Sequence, residues 1–282
     1  MNEAPAHKPE RTTLTELMDR GSWSVEHFDK SRERTWHLSV LISGIVEAWA
    51  AHATEDGSLV AIQWSALGGV LDAEEVPTHP VSVSFINLPE WSALVPEGAM
   101  EPGSQAAHLR AVHGGVPTGA LRDEPLAVLG ANCIYVHDDV AERSVLDRFP
   151  HARPVPMRSL MVRAAISRCM DGTIMVMHRG QENLEVAVAE NGRILLSNTY
   201  PVRSSQDVLY FALLAAEGSG LKPAATSVLA CGTHLVPHET DLLRRYFNTH
   251  DTVMNGSLAL PAESGVVPQR WLALLDQFAC VS

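Results

Sequence analysis

The sequence is poor in positive charge, and this shortage excludes a class of partners. Only 21 of its 282 residues are Lys or Arg, against 33 Asp and Glu, so the formal net charge is −12. A protein of that sign repels nucleic-acid backbones and anionic lipid. The short basic stretches at 32–34 and 244–245 are interleaved with acidic or apolar residues and are typical of solvated helix faces. We therefore expect no nucleic-acid partner.

Long apolar runs and clustered cysteines are also missing. The polar start has no apolar signal core, and no apolar stretch reaches the roughly 20 residues that a membrane helix needs. The four cysteines lie far apart in apolar surroundings, which favours buried thiols in a reducing compartment over a disulfide framework. They are Cys133, Cys169, Cys231 and Cys280. We expect a cytoplasmic protein with no membrane span.

Three common catalytic or cofactor motifs are absent. The chain has no Gly-x-Ser-x-Gly elbow, no Gly-x-x-x-x-Gly-Lys loop and no Gly-x-Gly-x-x-Gly after a strand. Ser219, between two glycines, is explained by the end of a helix and the following turn. The sequence therefore predicts neither a serine hydrolase of that type nor a protein with one of these nucleotide loops.

Two segments each predict a three-stranded antiparallel meander. The first comprises residues 37–44, 46–53 and 58–67, and the second comprises 173–180, 183–190 and 193–202. Tight turns are predicted at Glu55-Asp56-Gly57 and at Asn191-Gly192, since both contain residues that accept positive backbone angles. Corresponding loops lie about 135 residues apart, which indicates an internal duplication into two similar domains.

The segments that follow predict helices and buried strands. After the second meander, Ser204 and Asp207 predict a capped helix, followed by a parallel strand at 226–232 and a helix from Pro237. A last helix is predicted from Pro268, with Trp271, Leu274, Leu275 and Phe278 on one face. In the first half, 125–137 predicts the core strand, 142–150 a helix, and 159–170 a crossover helix. The pattern is α/β with mixed sheets.

Several of these stretches resemble a known family. The segments LSVLISGIVEAWAAHATEDGSLVAIQW, SALVPEGAM, IYVHDDVAERSVLDRFPHA and, most specifically, ILLSNTYPVRSSQDVLYFALLA are similar to the bacterial family called domain of unknown function 3822. The resemblance implies the actin-like ATPase fold, in which two ribonuclease-H-like domains in tandem enclose a nucleotide. We expect these domains at 34–156 and 157–282, after a polar lead-in at 1–33, with ordered structure beginning at Trp36.

The same resemblance implies where a nucleotide would lie. Active members of the superfold carry an Asp-x-Gly-type loop at the first turn of each meander, which holds Mg²⁺ and phosphates. The corresponding loops here contain no carboxylate, and histidine is a poor ligand for Mg²⁺. A Gly-Gly pair at the adenosine side is reduced to Ala230-Cys231-Gly232. The predicted degenerate nucleotide cleft comprises Ser43, Gly44, His178, Gly180 and Gly232.

Other constellations have simpler explanations. Cys231, His234 and His238 have a spacing that suits zinc, but no fourth ligand is nearby in the sequence. Asn198, Tyr200 and Asp207 suggest a possible ligand or partner groove, although helix capping and sheet-edge hydrogen bonds explain them more simply. We expect no metal ligands, no cofactor and no catalytic residues.

The leading prediction of function is a non-catalytic scaffold that binds an unidentified protein partner, with nucleotide not expected in the cleft. One rival is a nucleotide-dependent ATPase or kinase-like enzyme whose metal is held by other acids, such as Glu47, Glu182 or Glu185. A second rival is a sensor that binds a small ligand in the cleft. The sequence does not name the partner or the ligand.

Overall fold

The computed structural model describes residues 20–66, 68–169, 172–249 and 264–281, which form three β-sheets with covering helices. Among the described residues, no helix combines the length and apolar character that crossing a membrane requires. The strands, in chain order, are β1 (Gly21–Ser24), β2 (Trp36–Ser43), β3 (Glu47–Ala53), β4 (Leu59–Ser65), β5 (Ser82–Leu88), β6 (Trp91–Pro96), β7 (Ala120–Leu126), β8 (Ala131–His137), β9 (Arg153–Pro154), β10 (Thr173–Arg179), β11 (Asn183–Glu190), β12 (Arg193–Pro201), β13 (Ser227–Cys231) and β14 (Asn248–Thr249). The α-helices are α1 (Gln105–His113), α2 (Asp139–Arg148), α3 (Met157–Arg168), α4 (Ser205–Gly218), α5 (Pro237–Arg244), α6 (Leu272–Leu275) and α7 (Phe278–Val281).

Both predicted meanders are present, and each continues into the same mixed sheet. The first sheet has the order β1-β4-β3-β2-β5-β9 and the second has the order β12-β11-β10-β13-β14. In each, the three meander strands pair antiparallel, and two further strands add in parallel beside the first meander strand. The turn before β12 contains Asn191 and Gly192 at φ 48° and 78°, as the sequence predicts. The two halves therefore repeat one five-stranded arrangement.

The prediction of a core strand over 125–137 is wrong. The chain there forms the end of β7, a 3₁₀ turn at Ala127–Leu129 and β8. These strands pair antiparallel within a separate sheet of order β6-β8-β7. The strand that runs parallel to β2 is β5. Apolar character marked β8 as buried, but it could not show which sheet buries it.

The prediction that ordered structure begins at Trp36 is also wrong. Strand β1 pairs antiparallel with β4, so it extends the first sheet by one strand. A 3₁₀ helix follows at Lys30–Thr35, and Phe28 stacks on Trp36 with ring centroids 5.2 Å apart. The sequence does not predict these contacts, because the segment is short and polar. Strand β1 is held by backbone hydrogen bonds and has no long apolar pattern. The rest of the predicted lead-in, residues 1–19, lies outside the described residues.

The core of the described residues comprises four apolar clusters, the smallest of which lies between α1 and the third sheet. Apolar side chains from both mixed sheets pack with α3 and the C-terminal segment into one cluster, which includes Leu41, Val176, Leu160 and Trp271. Separate clusters lie beneath α2 in the first half and beneath α4 in the second. The predicted last helix is interrupted: Pro268–Trp271 is 3₁₀, followed by α6 and α7. The domain boundary at 156/157 stays our proposal. It is supported by α3, which begins at Met157 and packs against β10, β11 and β12 of the second sheet.

Candidate functional site

The two meanders converge on a cavity of about 300 Å³. Side chains facing one way along a strand recur every second residue. Leu41 and Val176 lie in the shared core, and Ser43 and His178, each two residues further, reach the cavity from the two halves. The described residues that line it are Ser43, Gly44, Leu88, Pro89, Glu90, Trp91, His178, Gly180, Gln181, Glu182, Asn183, Glu185, Thr233 and His234. Four of the five predicted cleft residues are therefore brought together.

The first loop is closed by its serine hydroxyl. Ser43 Oγ accepts hydrogen bonds from the backbone N–H groups of Ile45 and Val46, at 3.4 and 3.1 Å. This hydroxyl replaces backbone partners that the tight turn leaves unpaired. The side chain at the start of the loop therefore serves the turn itself.

His178 is a buried neutral imidazole. It pairs across the strands with Glu185, and only 1% of its surface is exposed. Burial, with a smaller contribution from His234, lowers the pKa of His178 to about 3. Its Nε2 has no hydrogen-bond partner among the described residues. In a neutral imidazole one ring nitrogen donates and the other accepts, so Nε2 accepts a hydrogen bond in the tautomer that carries its proton on Nδ1.

The arginine of the second loop does not face the cavity as a free cation. Arg179 Nε donates to Glu239 Oε1 at 3.3 Å, and its Nη1 donates to the carbonyl oxygens of Gly180 and Gln181. Arg179 is absent from the described cavity lining. The guanidinium therefore stabilises the loop and is not directed at a ligand.

Gly232, the fifth predicted residue, lies beside the cavity and has a packing role. Its φ is 116°, and a Cβ placed there would lie 2.4 Å from the carbonyl oxygen and 2.5 Å from the nitrogen of Arg179. Glycine therefore allows the end of β13 to approach the backbone at the end of β10. The sequence assigned this freedom to a nucleotide, but the approaching backbone is that of Arg179.

Replacing Gly232 with Ala should destabilise the fold by about 3 kcal/mol, since a backbone clash adds to an unfavourable φ. The matched control is Gly44→Ala, because a Cβ at Gly44 meets no heavy atom within 4 Å. We expect the control to lose less than about 1 kcal/mol. Urea denaturation measures both values, and equal stability of the two variants would contradict the packing role.

Glutamates supply the charge of the cavity. Glu185 is 8% exposed, and its carboxylate accepts a hydrogen bond from Thr199 Oγ1 at 2.7–2.8 Å. Burial raises the pKa of Glu185 to about 7, although Arg158 and Thr199 act in the opposite direction. Glu182 is exposed at the cavity wall. Among the described lining residues there is no Lys or Arg.

Glu90 is a cavity carboxylate that no sequence pattern singled out. Its Oε2 accepts hydrogen bonds from Met157 N at 2.7 Å and His137 Nε2 at 3.3 Å, which places it at the start of α3. Its Oε1 is buried and has no hydrogen-bond partner among the described residues. Glu90 lies between β5 and β6, two strands that were not predicted. The alternating VSVSFINL pattern was the signal for β5.

Arg158 links the two halves behind the cavity. It is 4% exposed and donates from Nε to Ser92 Oγ at 3.0 Å and from Nη2 to Thr199 Oγ1 at 2.5 Å. It also donates from Nη1 to the carbonyl oxygen of Ser197 at 3.2 Å. Thr199 in turn donates to Glu185, so Arg158 reaches that carboxylate through one hydroxyl. Protein groups therefore occupy its donors.

The alternative metal ligands are separated. Glu47 Oε2 accepts from Val70 N at 3.2 Å and Glu47 does not line the cavity. Cys231 Sγ donates to the carbonyl oxygen of Met177 at 3.0 Å, and His238 is exposed. No group of three or more His, Cys, Asp or Glu with metal-binding geometry occurs in the part of the chain that the structure describes. Glu182 and Glu185 do line the cavity.

The possible groove residues have structural roles. Asp207 Oδ2 accepts from the N–H groups of Arg203 and Ser204, which completes a capping box at the start of α4. Tyr200 stacks on Phe211 with centroids 4.6 Å apart, and Asn198 Oδ1 accepts from Thr199 N. None of the three predicted residues lines the cavity. The simpler explanation, capping and sheet-edge contacts, accounts for their positions.

Two mixed sheets of the same topology with a cavity between their meanders define a protein of the actin-like ATPase fold, built from two ribonuclease-H-like domains in tandem. The chain belongs to the family described as protein of unknown function DUF3822, whose model matches residues 87–249, more than half of its length.

The chain is similar to several solved structures. A Bacteroides thetaiotaomicron protein of actin-like ATPase fold and unknown function is similar with a TM-score of 0.73 at 12% identity, over 90% of this chain and 99% of that chain. The cytoplasmic domain of EpsL, an inner membrane component of the Vibrio cholerae type II secretion system, has a TM-score of 0.44 at 15% identity, with coverage of 88% and 95%. A PilM–PilN type IV pilus biogenesis complex has a TM-score of 0.46 at 13% identity, with coverage of 88% and 98%. No protein with a curated description matches the sequence.

Proposed function

We propose that this protein is a non-catalytic member of the actin-like fold that binds another protein. The observation that carries the proposal is the charge of the cavity: Glu90, Glu182 and Glu185 line the place where the fold holds a nucleotide. Carboxylates repel a polyphosphate unless a metal ion neutralises them, and neither Ser43-Gly44 nor His178-Arg179-Gly180 supplies an acidic ligand.

The rival function is hydrolysis with atypical metal ligands; Glu182 and Glu185 both line the cavity, and Glu185 is the buried one. We expect no release of phosphate from ATP and Mg²⁺ above the buffer rate. Hydrolysis by the wild type that disappears in Glu185→Gln would contradict the proposal and support the rival. Glu190→Gln is the matched control, since Glu190 lies on the same strand outside the described cavity lining.

Exposed apolar side chains on α4 support the partner-binding part. Tyr210 and Leu214 are 60% and 39% exposed and lie one helical turn apart. Phe211 and Tyr200 are half-buried beside them. An aromatic and aliphatic surface of this kind is typical of protein contacts. A Tyr210→Ser/Leu214→Ser variant should keep its melting temperature and lose the partner that the wild type retains. If the variant and the wild type both retain the partner, the binding role of this surface is contradicted.

A further inference from the structure

The cavity presents hydrogen-bond acceptors from independent parts of the fold. Glu185 comes from β11, Glu90 from the turn before β6, and His178 from the end of β10. Two of their polar atoms, Glu90 Oε1 and His178 Nε2, are buried and have no partner within the described residues; the histidine nitrogen accepts in the tautomer with its proton on Nδ1. Buried polar atoms normally have a partner, so such atoms beside a cavity indicate a ligand that donates hydrogen bonds.

The charge of the cavity wall indicates the charge of the ligand. Three glutamates line the cavity, and the described lining contains no Lys or Arg. Arg158 and Arg179, two arginines close to the cavity, are engaged: Arg158 donates to Ser92, Ser197 and Thr199, and Arg179 donates to Glu239 and its own loop. Burial raises the pKa of Glu185 to about 7, which is the behaviour of a carboxyl without a full counter-charge.

Size and shape restrict the ligand to a small molecule. The volume of about 300 Å³ lies at the lower end of the range for ligand sites. Trp91 adds an aromatic surface to the wall, and aromatic faces attract cations. An ammonium group has three donors and no acceptor, which matches a wall of unpaired acceptors and negative charge.

We propose that the cavity between the two meanders binds a small organic cation bearing a primary ammonium group, held by the carboxylates of Glu185 and Glu90 and by His178 Nε2. The site occupies the position of the nucleotide in the fold and takes a ligand of opposite charge. The proposal is independent of partner binding through α4, and it goes beyond the absence of hydrolysis.

The test is calorimetric titration with 1,4-diaminobutane, with 1,4-butanediol as the neutral control of the same length. We expect saturable binding of one diamine per chain and no heat from the diol. Glu185→Gln and Glu90→Gln should each weaken binding about ten-fold or more, since each removes a charge-assisted hydrogen bond. Glu190→Gln, which stays outside the described lining, should change it less than two-fold.

The control variant separates the site from general attraction to a protein of net charge −12, because non-specific binding would affect all three variants equally. Glu185→Gln keeps an acceptor for Thr199 and should fold, and a denaturation curve of each variant without ligand checks this. If Glu90→Gln does not fold, His178→Leu replaces it and should also weaken binding. Non-saturable binding, or equal affinity in Glu185→Gln and Glu190→Gln, would overturn the proposal, whereas ATP hydrolysis alone would overturn only the proposed function.

Discussion

Lowering the pH from 7 to 5 should reduce the free energy of unfolding by at least about 3 kcal/mol, because four histidines are buried as neutral rings. Burial lowers the pKa of His37 and His234 to about 4, and that of His52 and His178 to about 3. The unfolded chain takes up protons near pH 6.5, while these four rings in the folded state do not. Stability is therefore full above about pH 6.5 and falls as the pH drops towards 4.

Two carboxyls, Glu185 and Asp276, act in the opposite sense, because burial raises the pKa of each. The pKa of Glu185 is raised to about 7, so the folded state holds this proton between about pH 4.5 and 7 and gains stability as the pH falls. Each histidine contributes up to about 2 kcal/mol at pH 5, and Glu185 offsets about one of them. Relaxation and water entry reduce the sum. Urea denaturation at pH 5, 6, 7 and 8 measures how the free energy of unfolding changes with pH.

The contribution of a single histidine ring to this pH dependence can be measured separately. His52 has no hydrogen-bond partner at either nitrogen among the described residues and stacks on Phe278 with centroids 5.7 Å apart. A His52→Phe variant should lose less stability than the wild type between pH 7 and 5. Unchanged stability of the wild type over this range, or greater stability at pH 5, would contradict the assignment of neutral buried rings.

Replacing Arg158 with Ala should cost about 3–5 kcal/mol, because the change leaves buried acceptors without donors and removes the cation behind Glu185. The side chain is 4% exposed and joins β6 of the first half to β12 of the second. Its positive charge lowers the pKa of Glu185. In the variant that pKa should rise further, which carboxyl chemical shifts detect.

The matched control is Arg143→Ala on α2, where the side chain is exposed. We expect a change within about 0.5 kcal/mol for this control. Equal stability of the two variants would show that Arg158 does not join the halves. A destabilised Arg158 variant with an unchanged Glu185 pKa would separate the mechanical role from the electrostatic one.

The sequence predicted the features that depend on local chemistry. Turn residues such as Asn191-Gly192, the short apolar runs of β10 and β11, and the capping pair Ser204 and Asp207 all act within a few residues, and the structure has each of them. The two meander loops followed from the repeat spacing. Ser43 and His178 lie at the ends of β2 and β10, the first strand of each meander. Because these strand ends meet between the two sheets, both residues line the cavity.

The features that the sequence missed depend on distant partners. Strand β1 is held by pairing with β4, and β8 lies in a third sheet although its apolar pattern suits either. No local sequence pattern indicates that Glu90 is buried. Its burial depends on α3 and His137, which are distant in the sequence and contact it in the fold. The close packing of Gly232 against the backbone of Arg179 was missed, because it joins the end of β13 to the end of β10.

Titration calorimetry with ATP and Mg²⁺ tests the central claim most directly, which is that the cavity of this actin-like fold does not hold a magnesium nucleotide. We predict no saturable heat that depends on Mg²⁺, for the wild type or for Glu190→Gln. Tight binding that requires Mg²⁺ and is lost in Glu185→Gln would contradict the account and identify Glu185 as a metal ligand.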